Sequence, residues 1–559
     1  MREIELFGDY ENARIVDVDE YREGHPGMTV AFDRLGKTEI DGIPVSLTRN
    51  GAKKLEVTFV PYTHLLAIGA TRSGKTTGYV LPTLNILSRK KNKPSLVISD
   101  PKQEIYKKTV STMRENGYDV ILIDFTDYRR SDCWNPLTEI YRTYKKYLDA
   151  GNGVTVVKTD HGLRNSFRGV ICEDQAELDR RVDAVRDGYL AEAEKRVQAI
   201  ALSVIPPTGA KDPFWDGSAR DLFCAMLYGM MEDIRTNEIT ERTFSFDTVL
   251  RIFDSFSADS DKYDGGYFTS RPPDSKAYQL AKKCIIEQAE NTRKCIASTF
   301  AEKMSKFRDT SVRKITSANT FEVSDLDEGR PKAFYITFKD EESLHYDVIT
   351  MFLTDMYTKL IALARQEGGR LKRPFCFVLD EFGNLPRFSD FDKVISACGG
   401  RNIWFMLILQ SYAQLDNIYK KEIAEIIRDN LNTHIFFGTN NPQTKREFSE
   451  ECGKKTIISP TSALNGEGES IMRYDKDTVS LVPVSALNKI APGECIVTQM
   501  NDDVMWSHFE RSYTCGEFDV PELSEDELYE HKFDFLDVRY RYEPEKKNGS
   551  DAKNKRMIG

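Results

Sequence analysis

The stretch of this sequence best suited to chemistry is rich in glycine and hydroxyl residues. Its residues are Gly69, Ala70, Thr71, Arg72, Ser73, Gly74, Lys75, Thr76 and Thr77. In a turn of this kind, backbone N–H groups point at the phosphates of a nucleotide, a lysine reaches the β- and γ-phosphate oxygens, and a hydroxyl holds Mg²⁺. We therefore predict a nucleoside triphosphate site with Lys75 on the phosphates and Thr76 on Mg²⁺, and we expect Arg72 to face solvent.

Hydrolysis needs carboxylates near that turn, and Asp380 and Glu381 are the best candidates. They follow an apolar run, residues 374–379, that is typical of a buried strand. The first acid would order the Mg²⁺ shell and the second would polarise the attacking water. The alternative is that the pair only starts a loop and caps the next helix. Asp100 also ends an apolar run, where it would either support Mg²⁺ indirectly or cap a helix.

Three further side chains are candidates for contacts with the reacting phosphate. Gln410 ends the next apolar strand, where its amide could touch the γ-phosphate or the water; the alternative is an ordinary polar residue at a strand end. Arg401 lies in a glycine-marked loop before that strand. If subunits form a ring, Arg401 or Arg428 could enter the neighbouring site and stabilise transition-state charge. A plain surface charge is the alternative for both arginines.

The elements that position these residues follow an alternating pattern. Apolar strands are predicted at 65–68, 95–100 and 119–124, with helices after the first two, and the same pattern returns at 332–338, 345–366, 374–379, 403–410 and 433–438. Such alternation predicts an α/β fold with a mostly parallel sheet and helices on both faces. Between the two parts, residues from about 140 to 320 show helical periodicity.

We therefore predict a discontinuous nucleotide-binding domain. It comprises residues 61–140 and 320–520, and residues 141–319 form an inserted all-α domain that faces the substrate. Residues 1–60 read as a small β-rich lead-in, and residues 521–559 form a charged, partly disordered tail.

Composition excludes several classes of protein. The chain has 559 residues and a formal net charge of -10, so it is not coated with basic surface, although a ring could still gather Lys and Arg in a channel. Its 10 cysteines form no CxxC pair and its 7 histidines no metal-binding spacing, which argues for reduced thiols and against zinc catalysis. The sequence shows neither a signal peptide nor a membrane span, and we expect a cytoplasmic protein.

Several motifs occur together in a recognisable order. They are Tyr62 to Leu84 around the glycine-rich turn, Ser99 to Glu104, Trp134-Asn135-Pro136-Leu137, Asp212-Pro213-Phe214-Trp215, Leu379 to Leu385, and Leu409 to Leu415. In these motifs the sequence resembles the VirD4/TraG-type coupling proteins of type IV secretion and conjugation. These are ATPases of the FtsK/HerA branch of the RecA-like motors.

The resemblance implies a RecA-like P-loop ATPase that uses ATP and Mg²⁺ and assembles as a homo-hexamer. It gives Lys75 and Thr76 roles on phosphate and Mg²⁺, Asp380 and Glu381 roles on Mg²⁺ and water, and Gln410 a sensor role; Arg401 is the candidate arginine finger. Expected partners are relaxase-bound, single-stranded DNA, the relaxase or relaxosome, effector proteins and components of the secretion channel.

Most members of that family begin with transmembrane helices, and this sequence has none. The chain is therefore expected either to be a fragment or to dock on a separate membrane-anchoring subunit at the cytoplasmic face of the membrane. Two other functions stay open at this stage: a cytosolic HerA- or FtsK-like DNA translocase without a secretion role, and a substrate receptor in which ATP only stabilises assembly.

Overall fold

A computed structural model gives the conformation of most of the chain. It describes residues 13–159, 162–207, 213–257, 266–322, 326–327, 329–339, 341, 343–388, 390–464 and 470–518. These residues form two compact units: one holds those up to Thr126 and from Glu322 onward, and the other runs from Asp127 to Phe321. No helix in the described ranges is long and apolar enough to cross a membrane.

The strands are β1 (Ile15–Asp17), β2 (Thr29–Ala31), β3 (Ile43–Arg49), β4 (Leu55–Val60), β5 (Leu65–Gly69), β6 (Ser95–Asp100), β7 (Asp119–Asp124), β8 (Val154–Thr159), β9 (Gly162–Phe167), β10 (Val170–Ile171), β11 (Lys332–Thr337), β12 (Phe375–Leu379), β13 (Ile403–Leu409), β14 (Thr433–Gly438), β15 (Lys454–Leu464), β16 (Ser470–Ser480), β17 (Glu494–Gln499) and β18 (Val504–His508). The helices are α1 (Val18–Gly24), α2 (Leu81–Arg89), α3 (Glu104–Glu115), α4 (Thr138–Leu148), α5 (Gln175–Val204), α6 (Phe214–Ile234), α7 (Phe246–Ser257), α8 (Gly266–Thr269), α9 (Lys276–Ala281), α10 (Glu290–Met304), α11 (Thr310–Ile315), α12 (Tyr346–Gln366), α13 (Phe391–Cys398), α14 (Tyr412–Tyr419), α15 (Lys421–Asp429), α16 (Pro442–Glu451) and α17 (Val484–Leu487).

A large sheet forms the centre of the first unit. In the part of the chain that the structure describes, it has ten strands in the order β1-β18-β17-β14-β5-β13-β12-β6-β11-β7. The pairs from β14 to β7 are all parallel, whereas β17 is antiparallel to both of its neighbours. The central strands are mainly apolar and fully buried, as expected for parallel strands covered on both faces.

Helices cover both faces of this sheet. On one face Tyr335 of β11 packs against Tyr106 of α3, with ring centroids 5.1 Å apart. Phe405 of β13 packs against Phe391 of α13 at 5.2 Å. The registers of the intervening strands align Tyr335 with Met406, so Tyr335 and Met406 point to the same face of the sheet and Phe405 points to the other. Because side chains alternate along a strand, α3 and α13 lie on opposite faces.

The predicted fold class is confirmed for this unit. Strands β5, β6, β7, β11, β12, β13 and β14 and helices α3 and α12 all occur within about two residues of their predicted positions. The sequence could specify them because each is a continuous apolar run or an amphipathic helix ended by Gly, Pro, Asp or Asn.

Residues 13–60 contribute more than a separate lead-in. Strands β2, β4 and β3 form an antiparallel sheet, but β1 pairs with β18 at the edge of the large sheet. Val30, Val57 and Leu65 belong to one continuous buried cluster. The domain limits at residues 60, 140, 320 and 520 stay predictions, and residues 521–559 lie outside the described residues.

The second unit is built mainly of helices around aromatic side chains. Phe246 of α7 stacks on Phe307, with ring centroids 3.7 Å apart. Asn135 joins separate segments of this unit: its Nδ2 donates to the main-chain oxygen of Phe244 at 2.9 Å, and its N–H donates to Asn319 Oδ1 at 2.9 Å. This gives the Trp134 to Leu137 motif a structural role. Asp212, in another motif, lies outside the described residues.

The prediction that residues 141–319 are all helical is wrong for residues 154–171. This segment contains β8, β9 and β10, which form a three-stranded antiparallel sheet. Its only clear signal in the sequence is the run Val154 to Val157, rich in β-branched residues. Val156 is 63% exposed and Leu163 75% exposed, so the apolar positions in this segment do not mark a buried face.

Candidate nucleotide-binding site

The candidate site lies along the carboxyl ends of four neighbouring strands. These strands are β5, β13, β12 and β6, which run parallel to one another. The glycine-rich turn follows β5, Gln410 follows β13, the Asp380-Glu381 pair follows β12, and Asp100 ends β6. In open parallel sheets this edge is where ligands bind. The sheet order thus brings together residues that are hundreds of positions apart in sequence.

Two glycines allow the turn after β5 to fold tightly. A Cβ atom on Gly69 would lie 2.4 Å from Ser73 Oγ and 2.7 Å from Lys75 Cγ, so the turn closes only over a bare backbone. Gly74 has a φ of 93°, in the left-handed region that favours glycine. Residues 75–80 then form a π-helical turn that leads into α2. The glycines therefore determine where Lys75 and Thr76 lie.

Lys75 is buried beneath this turn. Its side chain is 5% exposed, and Nζ donates a hydrogen bond to the main-chain oxygen of Gly69. Burial lowers the pKa of Lys75, while the negative charges of Glu381 and Asp380 act in the opposite direction. The ammonium group is therefore held in a poorly hydrated position next to two acids, where an anionic ligand would offset its desolvation.

Asp380 and Thr76 face each other across the site. Thr76 Oγ1 lies 3.4 Å from Asp380 Oδ2. Burial and, second, the charge of Glu381 raise the pKa of Asp380 to about 6. A hydroxyl and a carboxylate so placed are suitable oxygen ligands for Mg²⁺, and a cation would relieve the cost of the buried charge. Ser73 Oγ is also buried without a hydrogen-bond partner among the described residues, which fits a turn built around a ligand.

Gln410 bridges the two sides of the site. Its Nε2 donates to Glu381 Oε2 at 3.0 Å, and Thr71 Oγ1 lies 3.4 Å from Gln410 Oε1. Glu381 itself has a φ of 51°, which is uncommon for a residue other than glycine. The side chains predicted to contact phosphate, Mg²⁺ and water therefore lie together, apart from Arg401. Their individual roles stay predictions.

Two positioning residues were not identified from their sequence patterns. Ser99 Oγ donates to the main-chain oxygen of Asp380 at 2.9 Å, which fixes the end of β12. Gln414 Oε1 accepts a 2.7 Å hydrogen bond from the N–H of Gln410. The Gln414 amide packs on Gly383, where a Cβ would lie 2.6 Å from its Cδ. For Gln414 the available signal was its spacing of four residues from Gln410 at the start of a helix.

Asp100 contacts the first turn of α3. Its Oδ2 accepts a 2.7 Å hydrogen bond from the N–H of Tyr106. Burial raises the pKa of Asp100 to about 7, and the nearby charge of Asp380 adds to this effect. The structure thus shows the helix-capping contact that was one of the two roles considered for this residue.

The two candidate arginines lie in different surroundings. Arg401 precedes β13, whereas Gln410 follows it, so the length of the strand, roughly 23 Å, separates them. Arg401 therefore does not belong to the group around Lys75, and its Nη1 donates a hydrogen bond to the main-chain oxygen of Ala397. Arg428 is 14% exposed, its Nη1 lies 2.8 Å from Glu447 Oε2, and its guanidinium stacks on Tyr412 at 4.8 Å. These contacts favour a structural role for Arg428.

Comparison with known proteins gives relatives of one kind. The chain is 22% identical over 402 residues to Protein VirD4 of Agrobacterium fabrum, which covers 70% of this chain and 50% of VirD4. It is 22% identical over 428 residues to conjugal transfer protein TraG of Escherichia coli, which covers 73% of this chain and 58% of TraG. The chain thus spans about half the length of the first of these relatives.

A solved structure shares the fold. Plasmid coupling protein TrwB in complex with ADP and Mg²⁺ superposes with a TM-score of 0.57 at 14% sequence identity, which covers 90% of this chain and 95% of TrwB. This similarity shows a RecA-like fold, with a mostly parallel sheet and a helical region, as predicted from the sequence. Residues 33–473 match the family described as Type IV secretory system Conjugative DNA transfer. This match extends over more than half of the chain, and the chain therefore belongs to that family.

Proposed function

We propose that this chain is an ATPase that binds ATP and Mg²⁺ at the glycine-rich turn. The observation that carries the proposal is the group formed by Lys75, Thr76, Asp380, Glu381 and Gln410 at one edge of the sheet. A turn that only bound a nucleotide would not need a carboxylate pair and an amide opposite it. Together these groups provide the charges that phosphoryl transfer to water requires.

Each side chain has a distinct role in this proposal. Lys75 and the N–H groups of the turn bind the phosphates, and Thr76 and Asp380 would hold Mg²⁺. When bound, Mg²⁺ would neutralise the charge that develops on the phosphate oxygens. Glu381 accepts a proton from the attacking water, and Gln410 orients both the carboxylate and the water through its amide. Asp380 must be ionised to hold the metal, and a bound cation would oppose the burial that raises the pKa of this carboxyl to about 6.

We further propose that hydrolysis delivers a substrate into a type IV secretion channel. The family match over residues 33–473 and the names of the relatives support this function. The substrate is relaxase-bound, single-stranded DNA, or a protein effector, and the channel components and a membrane-anchoring subunit are the further partners. In this proposal the motor works at the cytoplasmic face of the membrane.

A ring of six copies is the assembly that best explains how Arg401 could contact a nucleotide. Its guanidinium belongs to the opposite edge of the sheet from Gln410, so it has no access to the nucleotide of its own chain. In a closed ring one face of each subunit meets the other face of its neighbour, which allows a residue far from its own site to complete the next one.

Two substitutions test the ATPase proposal. Lys75→Ala should weaken ATP binding, whereas Glu381→Gln should keep binding and lose turnover, because only the water-activating group changes. Glu422→Gln, on the exposed surface of α15, is the matched control and should behave as wild type. DNA should raise the wild-type rate. Equal turnover in wild type and Glu381→Gln would refute the proposal.

A second experiment identifies the substrate. The Glu381→Gln variant should trap the complex because it binds ATP without hydrolysing it. Affinity purification of the full chain in this state, from cells that carry the secretion system, should recover a relaxase with DNA if the cargo is DNA. Recovery of secreted proteins alone would favour effector delivery, and recovery of duplex DNA with no secretion component would favour a translocase without a secretion role.

A further inference from the structure

The segment after β18, residues 509–518, lies against the glycine-rich turn. The N–H of Ser512 donates to the main-chain oxygen of Thr77 at 2.8 Å. That oxygen is available because residues 75–80 form a π-helical turn, a geometry in which an N–H donates to the main-chain oxygen five residues earlier. The N–H of Leu81 thus donates to Thr76. The donor to Thr77 in the same pattern would be Pro82, which has no N–H. The sequence of the turn thus creates an acceptor that the distant segment occupies.

Further contacts fix this segment on both sides of Ser512. Before it, the N–H of Glu510 donates to the main-chain oxygen of Leu47 at 2.9 Å, and Phe509 packs on Tyr79 with ring centroids 5.2 Å apart. After it, both carboxylate oxygens of Glu517 accept 2.9 Å hydrogen bonds from the guanidinium of Arg49. The residues between these anchors are therefore held at the turn.

Arg511 lies between these anchors and points its charge at the turn. Its Nη2 is 3.5 Å from the position that a Cβ atom on Gly74 would occupy, and Thr77 Oγ1 is 3.8 Å from the same position. The nearby acids Glu510 and Glu517 pair with Arg49 instead. Among the described residues, no carboxylate forms an ion pair with Arg511. A cation without an acidic partner thus adjoins the backbone predicted to bind phosphate.

Tyr513 lies next to this guanidinium and is largely exposed. The residue is 66% exposed, and its hydroxyl accepts a 2.5 Å hydrogen bond from Arg511 Nη1. Packing does not require an aromatic ring at such an exposed position. A flat ring beside a phosphate-binding cation can stack against a nucleobase, an interaction that tolerates any base.

We propose that Arg511 and Tyr513 form a second wall of the nucleotide site in the same subunit. Arg511 binds the α- and β-phosphates, and Tyr513 packs against the base. The assignment to the α- and β-phosphates follows from the side of the turn: Arg511 adjoins Gly74 and Thr77, whereas Glu381 and Gln410 mark the γ-phosphate side. This inference rests on the proposed nucleotide site. It distinguishes Arg511 from an arginine finger, which acts on the γ-phosphate of a neighbour.

Binding of three probes tests the proposal: ATP, ADP and inorganic pyrophosphate, each with Mg²⁺, measured by titration calorimetry. Arg511→Gln should weaken all three by about 10- to 100-fold, because each contains the phosphates that the guanidinium contacts. Tyr513→Ala should weaken ATP and ADP but not pyrophosphate, which has no base. At saturating ATP, Arg511→Gln should retain the wild-type kcat and show a raised KM.

Control variants distinguish a failure of this proposal from a failure of the proposed nucleotide site. Arg446→Gln, an exposed arginine on α16, should bind all probes as wild type does, and Lys75→Ala should bind none of them well. If Lys75→Ala loses affinity for the probes and Arg511→Gln does not, the proposed role of Arg511 is refuted, whereas the proposed nucleotide site is supported. If the wild type binds none of the probes, both proposals fail.

A purely structural role for Arg511 predicts a different result. Arg511→Lys keeps the positive charge, so it should bind pyrophosphate with an affinity between those of wild type and Arg511→Gln. If Arg511→Lys and Arg511→Gln lose the same affinity and both unfold at a lower temperature than wild type, the arginine serves only to hold the segment, and the proposal is overturned.

Discussion

The amide of Gln410 donates a 3.0 Å hydrogen bond to the carboxylate of Glu381. The two residues follow adjacent parallel strands, β13 and β12, and lie 29 positions apart in sequence. Gln410 is itself held by Gln414, whose Oε1 accepts the N–H of Gln410 at 2.7 Å. The orientation of the carboxylate proposed to act on water is therefore set by a short chain of amides.

We expect Gln410→Ala to impair turnover more than binding. Loss of the hydrogen bond frees Glu381 to rotate away from the water, so kcat should fall about 10- to 100-fold while the affinity for ATP changes less than about threefold. Steady-state kinetics and calorimetric titration measure the two effects. Gln366→Ala, at the exposed end of α12, is the control. An unchanged kcat would show that the amide does not position Glu381.

Arg401 should act on a neighbouring subunit. Arg401→Ala alone and Glu381→Gln alone should both lose turnover, one for lack of the finger and the other for lack of the base. In a mixed ring, some interfaces place the intact Arg401 of a Glu381→Gln subunit against the intact Glu381 of an Arg401→Ala subunit. These interfaces contain both groups, so mixing should restore part of the activity. ATPase rates measured across mixing ratios test this. No recovery at any ratio would contradict a role in trans.

Arg428 should matter for stability rather than for hydrolysis. Its guanidinium contacts Glu447 at 2.8 Å and lies over Tyr412, and the side chain is 14% exposed. Arg428→Ala removes the charged partner of Glu447, which keeps the hydrogen bond from Gln443, and should lower the free energy of unfolding by about 1–3 kcal/mol. Urea-induced unfolding measures this change. A stable variant that had lost turnover would instead assign the finger to Arg428.

Gly69→Ala should disrupt the turn. The new Cβ would lie 2.4 Å from Ser73 Oγ and 2.7 Å from Lys75 Cγ, so the lysine must move and ATP affinity should fall at least about tenfold. Gly78→Ala is a sharp control because nothing lies within 4 Å of its Cβ position. That change should keep ATP binding and stabilise the helical turn by up to about 1 kcal/mol. Equal effects of the two substitutions would contradict the steric explanation.

Stability should depend on pH through Lys90. This lysine is fully buried, donates to the main-chain oxygen of Gly42 at 3.1 Å and to the Tyr62 hydroxyl at 3.0 Å, and burial lowers its pKa to about 8. Because its folded pKa lies below the unfolded value of about 10.4, the unfolded chain binds more protons between these limits. The protein should therefore gain stability as pH rises through this window.

The measurement compares wild type with Lys90→Met, so that other titrating groups cancel. From pH 8 to about 10, the free energy of unfolding of wild type should rise relative to the variant by about 1 kcal/mol per pH unit on average. A constant difference between the two proteins over this range would show that Lys90 keeps an ordinary pKa.

Sequence alone determined the main elements of the first unit and brought forward most of the candidate site residues. The turn from Gly69 to Thr76, the acids at 380 and 381, and Gln410 each follow a continuous apolar run. Burial on both faces of a parallel sheet demands such runs, and a site at their carboxyl ends demands polar residues immediately after them. These requirements are local, so they can be read from neighbouring residues.

Only the tertiary structure decided which distant residues meet. The order of β5, β13, β12 and β6 sets the contact between Gln410 and Glu381, and strand order depends on long-range pairing rather than on local pattern. The same holds for Arg511, which reaches the turn because the carbonyl of Thr77 lacks a helical donor. The sheet of β8 to β10 was missed because apolar residues such as Val156 and Leu163 are exposed, so apolar positions in its sequence do not mark a buried face.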